Sequence, residues 1–288
     1  MATGALPRSR QTRSRQPLVL AMMLALAPAV NAEPPETASD ASLSGDAIYQ
    51  KLLDNRFNSY EQKLDMTSGD RGGHFQKVEM EVKYLNFREK KKRIVSKTIA
   101  KYQAPQDVRH LGYLVINKSD GSDDQFVFRP SSRRVRRVNL RGEAISGTDF
   151  SFEDVLPQEF EDATYARLPD EQLGEIPVYV IALTPVAESD SEYSKMVSWI
   201  EKEHFVPLRT RYWDNRDVLI KELDSKPASI TMYEDEEKGK TKKVWTPRES
   251  KMTHLKLGSF TELEIVELKA NPGLREKHFS ERELTRSH

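Results

Sequence analysis

The chain has 288 residues, with 45 Lys and Arg residues against 45 Asp and Glu residues, and it has no cysteine. The length allows one large domain or two small ones. The balanced charge argues against a general nucleic-acid binder, which would be basic. The lack of cysteine excludes disulfides, thiolate metal sites and a lipid-modified N-terminus.

The first 32 residues have the pattern of a cleavable export signal. Four arginines precede an apolar run at residues 18–27, and Val30 and Ala32 are small residues where a signal peptidase would cut. The apolar run is shorter than the roughly 20 residues that span a bilayer, so the alternative, an N-terminal membrane anchor, is less favoured. Residues 1–32 contain four arginines and no acid, so the remainder has 41 basic and 45 acidic residues, a net charge of −4. We predict a signal peptide at residues 1–32, and a mature protein that lies outside the cytoplasm and does not span a membrane.

Residues 33–43 contain Pro, Ser and acidic residues and predict a flexible leader. An amphipathic helix is predicted to follow, because Ser44 can cap it and the apolar residues recur at helical spacing. These apolar residues are Ile48, Tyr49, Leu52, Leu53 and Phe57. The helix must therefore lie against an apolar surface.

From about residue 74 the hydrophobic period changes to two. Residues 76–86 alternate between apolar and charged side chains, which is typical of an antiparallel strand with one wet face. Further strands are predicted at 91–102, 109–117, 124–129, 133–140, 176–184, 194–202, 207–213, 217–223, 228–234, 242–255 and 259–268. Many closely spaced strands without helical crossovers indicate a large antiparallel sheet that curves.

The centre of the chain, residues 149–165, departs from this strand pattern. Ser151 and Asp154 have capping-box spacing, and Pro157 would soon end a helix. The aromatic and aliphatic residues here supply too much apolar area for a free loop. We therefore predict one or two short helical turns that cover one mouth of the curved sheet.

A basic segment, residues 132–137, precedes these turns. Arg134 and Arg136 would share one face of a strand, and Arg133 and Arg137 the other. Two interpretations remain open. The segment is either an edge strand protected by arginine, or a contact for an anionic partner or lipid headgroup.

Motifs of enzymes and metal sites are missing from the sequence. The six histidines are isolated, and there is no nucleophile elbow, phosphate-binding loop or dinucleotide fingerprint. We therefore predict no catalytic residue, no metal site and no cofactor, and a hydrolase is the least favoured class.

Two segments resemble the outer-membrane lipoprotein-sorting (LolA-like) family. One is the pair of predicted strands over residues 124–137, and the other is the more specific sequence GTDFSFED at residues 147–154. Looser similarities occur at residues 243–247 and 271–274, so the resemblance spans about residues 46–280.

The resemblance implies an α+β, mainly antiparallel β fold. A curved half barrel would extend over residues 44–280, with a few helices covering its concave face, and residues 281–288 would be a disordered tail. It also implies a non-enzymatic periplasmic carrier of lipid or lipoprotein acyl chains in lipoprotein sorting or lipid transport. An inner-membrane transporter would be a further partner, and nucleic acid would not be one.

Alternation and helical spacing predict which residues would contact the acyl chains in such a cavity. The predicted lining residues are Leu52, Leu53, Val78, Met80, Val82, Tyr84, Phe126, Phe128, Phe150 and Phe152. A fully packed core without a cavity is the alternative. The same fold could instead serve a sensor or an accessory protein of a membrane exporter, which would contact its partner through the arginine segment.

Overall fold

The computed structural model describes residues 43–87, 93–119, 123–140, 142–156, 158–237 and 239–286. The predicted signal peptide lies outside the described residues, as does the predicted leader except residue 43. Within the described residues the dominant element is one antiparallel sheet of thirteen strands.

Seven strands of the sheet lie within residues 59–173. These are β1 (Ser59–Gly69), β2 (Phe75–Asn86), β3 (Ile94–Ala104), β4 (Gly112–Lys118), β5 (Asp124–Arg129), β6 (Arg134–Arg137) and β7 (Ala163–Leu173). The second half contributes β8 (Ile176–Pro185), β9 (Tyr193–Glu201), β10 (Pro207–Asp214), β11 (Leu219–Ser225), β14 (Glu249–His254) and β15 (Ser259–Ala270). A separate two-stranded hairpin is formed by β12 (Ile230–Glu237) and β13 (Lys240–Pro247).

The strand order is β6-β5-β4-β3-β2-β1-β15-β14-β11-β10-β9-β8-β7, so β6 and β7 are the two edges. The first and last strands of the chain pair at the centre, where Tyr60 lies opposite Ala270. The predicted fold class is confirmed. The architecture is a mainly antiparallel open sheet with few helices.

The two faces of the sheet differ because the side-chain period of a strand is two. On β2, Val78, Met80 and Val82 are buried in the main core, whereas Glu79 and Glu81 point to the other face. The main core therefore lies on the side of the sheet that helix α1 (Gly45–Asp54) and the central turns cover.

Helix α1 (Gly45–Asp54) begins after Ser44, whose hydroxyl accepts a hydrogen bond from the backbone N–H of Ala47 at 3.2 Å. The predicted cap is thus confirmed. Gly45 lies directly on the backbone of β7, because a Cβ placed there would be 2.5 Å from the carbonyl oxygen of Tyr165. Ile48 and Leu53 then turn the apolar face of the helix into the main core.

The central turns consist of the short helix α2 (Phe152–Val155) and a 3₁₀ turn at Phe160–Asp162. The predicted capping box is present, because the Ser151 side chain accepts from the Asp154 N–H and the Asp154 carboxylate accepts from the Ser151 N–H. The prediction of helical turns extends slightly too far, since β7 already begins at Ala163.

The prediction of a disordered tail at residues 281–288 is wrong for residues 281–286. Helix α3 (Glu281–Thr285) packs on the outer face of β4 to β6, and its Leu284 is only 1% exposed. Leu284 belongs to a second core cluster that also contains Ile99, Leu114, Phe128 and Phe279. Residues 287–288 lie outside the described residues.

Candidate functional site

An apolar cavity of about 150 Å³ lies between α2 and the covered face of the sheet. Its wall is formed by β1 to β4, β15 and the turns around α2, and none of its lining residues carries a charge. The lining residues are Tyr60, Gln62, Leu64, Met66, Met80, Val82, Thr98, Ala100, Tyr113, Val115, Ile145, Phe152, Val155, Leu156, Leu263 and Ile265. An apolar cavity of about 150 Å³ stays dry and accepts small apolar molecules, so the site suits hydrocarbon rather than polar ligands.

A groove of about 270 Å³ adjoins this cavity. Tyr60 and Val155 line both spaces, and Val155 is 45% exposed although it belongs to the covering turns. The other groove residues are Leu52, Asn55, Arg56, Phe57, Tyr84, Phe205, Val206, Pro207, Val244, Trp245, Thr246 and Pro247. The cavity and the groove, which share these two wall residues, are together called the path; it extends from beneath α2 to the end of α1.

The covering segment is fixed to the sheet at its N-terminal end by Asp149. The carboxylate of Asp149 accepts hydrogen bonds from the hydroxyls of Ser259 and Thr261, the latter at 2.9 Å. Ser68 adds a bond from its hydroxyl to the carbonyl oxygen of Gly147 at 2.7 Å. These contacts attach the segment to β1 and β15, beside the cavity.

A second anchor lies beneath α2 and is buried. The side-chain exposure of Asp154 is 0% and that of Lys221, on β11, is 10%; their Oδ2 and Nζ atoms are 2.9 Å apart. The Tyr193 hydroxyl donates to the other Asp154 oxygen at 2.6 Å. Burial, together with the adjacent Asp154 carboxylate, holds the pKa of Tyr193 far above its usual range, so the hydroxyl remains a donor.

Glu153 provides the third anchor. Its carboxylate accepts a hydrogen bond from the Ser191 hydroxyl and another from the Glu192 N–H at 3.0 Å. The three acidic residues of the sequence GTDFSFED thus each fasten the cover: Asp149 to β15, Asp154 to β9 and β11, and Glu153 to the segment that precedes β9. Sequence reasoning singled out this segment but did not identify its carboxylates as anchors.

Five of the ten predicted lining residues lie on the apolar path. Met80, Val82 and Phe152 line the cavity, and Leu52 and Tyr84 line the groove. Three more are buried in the same core cluster without lining either space, namely Leu53, Val78 and Phe150.

The structure corrects the placement of the remaining two predicted lining residues. Phe126 and Phe128 lie on the opposite face, in the cluster covered by α3, whereas Val127 between them belongs to the main core. The alternation along β5 predicts that Phe126 and Phe128 share one face of the strand. It does not decide which face of the sheet this is, because a shift of one residue exchanges the two faces. The aromatic residues cover the outer face because α3 supplies an unpredicted partner there.

Several cavity residues were not predicted. Tyr60, Leu64 and Met66 come from β1, and Leu263 and Ile265 come from β15. The alternation of apolar and polar residues within each strand could have identified these cavity residues. In β1, however, Gln62 interrupts the apolar positions.

The basic segment forms an edge of the sheet, as one of its two interpretations predicted. Arg134 and Arg136 are exposed, and Arg133 lies in the turn that precedes β6 with φ of 51°. Arg137 pairs with Asp124 at 2.5 Å and its side chain is 61% exposed.

Three solved structures share this architecture. A domain described as an outer membrane lipoprotein-sorting protein from Vibrio parahaemolyticus is 24% identical, with a TM-score of 0.72, and the match covers 84% of this chain and 98% of that one. A DUF1329 family protein from Desulfovibrio piger is 22% identical, with a TM-score of 0.72 and coverage of 84% and 99%. A LolA superfamily protein from Nitrosomonas europaea is 19% identical, with a TM-score of 0.61 and coverage of 83% and 98%. The predicted resemblance is confirmed, and the chain has a LolA-like fold.

A family model described as "Uncharacterized protein" matches residues 95–286, which is more than half of the chain. The chain therefore belongs to that family. A search of curated proteins finds no significant match. Among the described residues, no helix is long and apolar enough to cross a membrane.

Proposed function

We propose that this protein is a non-enzymatic periplasmic carrier of acyl chains from lipids or lipoproteins, acting in lipoprotein sorting or lipid transport. The observation that carries the proposal is the cavity beneath α2, whose lining contains no charged residue. Each methylene moved from water into such a site contributes about 0.8 kcal/mol. A few methylenes would give reversible capture without any chemical step.

The LolA-like fold supports this proposal, because one neighbour is described as a lipoprotein-sorting protein. The proposed contacts are the five predicted residues that line the cavity or the groove: Leu52, Met80, Val82, Tyr84 and Phe152. Leu53, Val78 and Phe150 would support this wall from the core. The signal at residues 1–32 would direct the protein to the periplasm, and a transporter of the inner membrane would be its partner.

Uptake of a fluorescent fatty acid tests the cavity. Met80→Glu and Phe152→Glu each place a charge at a lining position and are expected to abolish uptake, because burying an unpaired carboxylate is costly. Ala100→Leu fills the cavity with apolar atoms and is expected to weaken uptake while the thermal midpoint changes little.

Val266→Glu is the matched control. Val266 follows the lining residue Ile265 on β15, is 46% exposed, and is absent from the lining. The Val266→Glu variant should take up as much fluorescent fatty acid as the wild type. Uptake that remains unchanged in all three lining variants would contradict the cavity assignment.

A second candidate function is that of a sensor or an exporter accessory protein. It is favoured by the exposed arginines of the edge strand β6, which offers both cations and an unpaired strand edge to a partner. Replacing Arg134 and Arg136 by Glu would then disrupt a complex with an acidic partner and leave fatty-acid uptake intact. Retention of the complex would argue against this role.

A further inference from the structure

The groove that leads to the cavity is lined by apolar and neutral polar residues, with a single exception. Arg56 is the one charged residue in the lining of this groove, whereas the lining of the cavity contains none. The path thus carries positive charge at one end and hydrocarbon at the other. This polarity matches an amphiphile with an anionic head.

The position of Arg56 is fixed from both sides. The preceding residue, Asn55, donates from Nδ2 to the carbonyl oxygen of Trp245 and accepts from the Trp245 N–H, both at 2.8 Å. Arg56 itself donates from Nη2 to the carbonyl oxygen of Gln158 at 2.6 Å. The guanidinium is therefore held between the end of α1, the hairpin strand β13 and the chain that follows α2.

A second cation lies close to the same wall. The Nζ atom of Lys51 is 5.2 Å from the centre of the Phe205 ring, and Phe205 lines the groove. Lys51 is exposed on α1 and precedes Arg56 by less than two helical turns. Lys51 thus places a second cation at the wall of the groove.

The length of the path suits an acyl chain. Tyr60 lines both the groove and the cavity, and Met66 also lines the cavity. These residues are six positions apart on β1, so they are separated by roughly 20 Å. An extended acyl chain of a membrane lipid can span this distance.

We infer that the path binds a single-chain amphiphile with an anionic head, whose carboxylate or phosphate contacts Arg56 while its tail enters the cavity beneath α2. This inference rests on the proposed function and specifies its ligand class. A guanidinium suits this role because it presents planar paired donors to carboxylate and phosphate oxygens.

The experiment compares ligands that differ only in the head. Binding of palmitate, palmityl alcohol and lysophosphatidate is measured by displacement of a fluorescent fatty acid. The protein used begins at Glu33, because it retains the compact unit Ala41–His288 and lacks the apolar run at residues 18–27. The variants are Arg56→Gln, Arg56→Lys and the control Arg216→Gln, which changes an exposed arginine in the turn between β10 and β11.

The wild type should bind palmitate about tenfold or more tightly than the alcohol, as expected for a charge-assisted hydrogen bond. Arg56→Gln should remove this preference and leave alcohol binding unchanged, whereas Arg56→Lys should keep part of it. Arg216→Gln should behave as the wild type. Tighter binding of lysophosphatidate than of palmitate would identify phosphate as the preferred head.

Two results would overturn the inference in distinguishable ways. Equal affinity of wild type for acid and alcohol, or an equal loss of both in Arg56→Gln, would refute the head contact and leave the carrier function standing. Failure of the fluorescent fatty acid itself to bind, together with failure of all three ligands to bind, would refute both the head contact and the carrier function.

Discussion

The buried pair of Asp154 and Lys221 should dominate the attachment of α2. In Asp154→Asn the side chain keeps its size but loses its charge, and the Lys221 ammonium remains in a site where it is only 10% exposed. Breaking a buried pair in this way costs about 3–5 kcal/mol. The Tyr193 hydroxyl, which donates to the carboxylate at 2.6 Å, would lose its charged acceptor as well.

The double variant Asp154→Asn/Lys221→Met tests whether the loss of stability comes from the unpaired charge of Lys221. Because it removes both charges, it should recover most of the lost stability, since an apolar replacement of a buried pair is often neutral. The free energy of unfolding is measured by urea titration, with the m-value checked for each variant. Limited proteolysis would report whether the covering segment opens before the sheet unfolds.

Glu249→Gln provides the surface control for this measurement. Glu249 pairs with Lys226 at 2.8 Å, but their side chains are 47% and 58% exposed, so the loss should be below about 1 kcal/mol. If Asp154→Asn costs no more than Glu249→Gln, the buried pair does not hold the cover in place and the reasoning is refuted.

Three further predictions concern other parts of the fold. Leu284→Ala should destabilise the protein by about 2–5 kcal/mol in urea unfolding, because this tail residue is buried; a change near zero would mean that α3 is not part of the core. Gly45→Ala should lower the thermal midpoint, because the added methyl meets the β7 backbone; an unchanged midpoint would show that α1 can move away freely. The pKa of Glu267 should be about 2 by carbon NMR titration, since Lys63 and Lys269 donate to it, and Lys63→Met should raise this pKa. The contribution of ionised Glu267 to the free energy of unfolding is complete above about pH 4.5 and is lost as the pH falls through about 2. An ordinary pKa for Glu267 would contradict its pairing with the two lysines.

Much of the sheet could be predicted because its strands alternate cleanly. The predicted ranges for β2 and β5 match the structure within one residue, and Ser44 and Ser151 cap helices as their sequence context indicates. Strand β1 was missed because Gln62 interrupts the alternation of its apolar face. Pairing with β2 and β15 on both sides makes this segment a strand, and that information is not local.

The candidate site was predictable only in part for the same reason. Met80 and Phe152 could be chosen from their own segments, but which face of β5 meets the cavity depends on the covering elements. A five-residue helix such as α3 has too weak a local pattern to be recognised, although it determines where Phe128 packs. Arg56 follows a helix end, and only the fold brings it beside Trp245.

The pairing of β1 with β15 has a consequence for how the molecule acquires its structure. The two central strands pair although Tyr60 and Ala270 are 210 positions apart. The β1–β15 pairing can therefore form only after nearly the whole polypeptide is present. Such long-range closure slows folding, because the entropy of a large loop is lost before the contacts repay it. A nascent chain that ends before Ser259 would leave β1 and β14 as two bare edges, which makes truncated forms prone to aggregate.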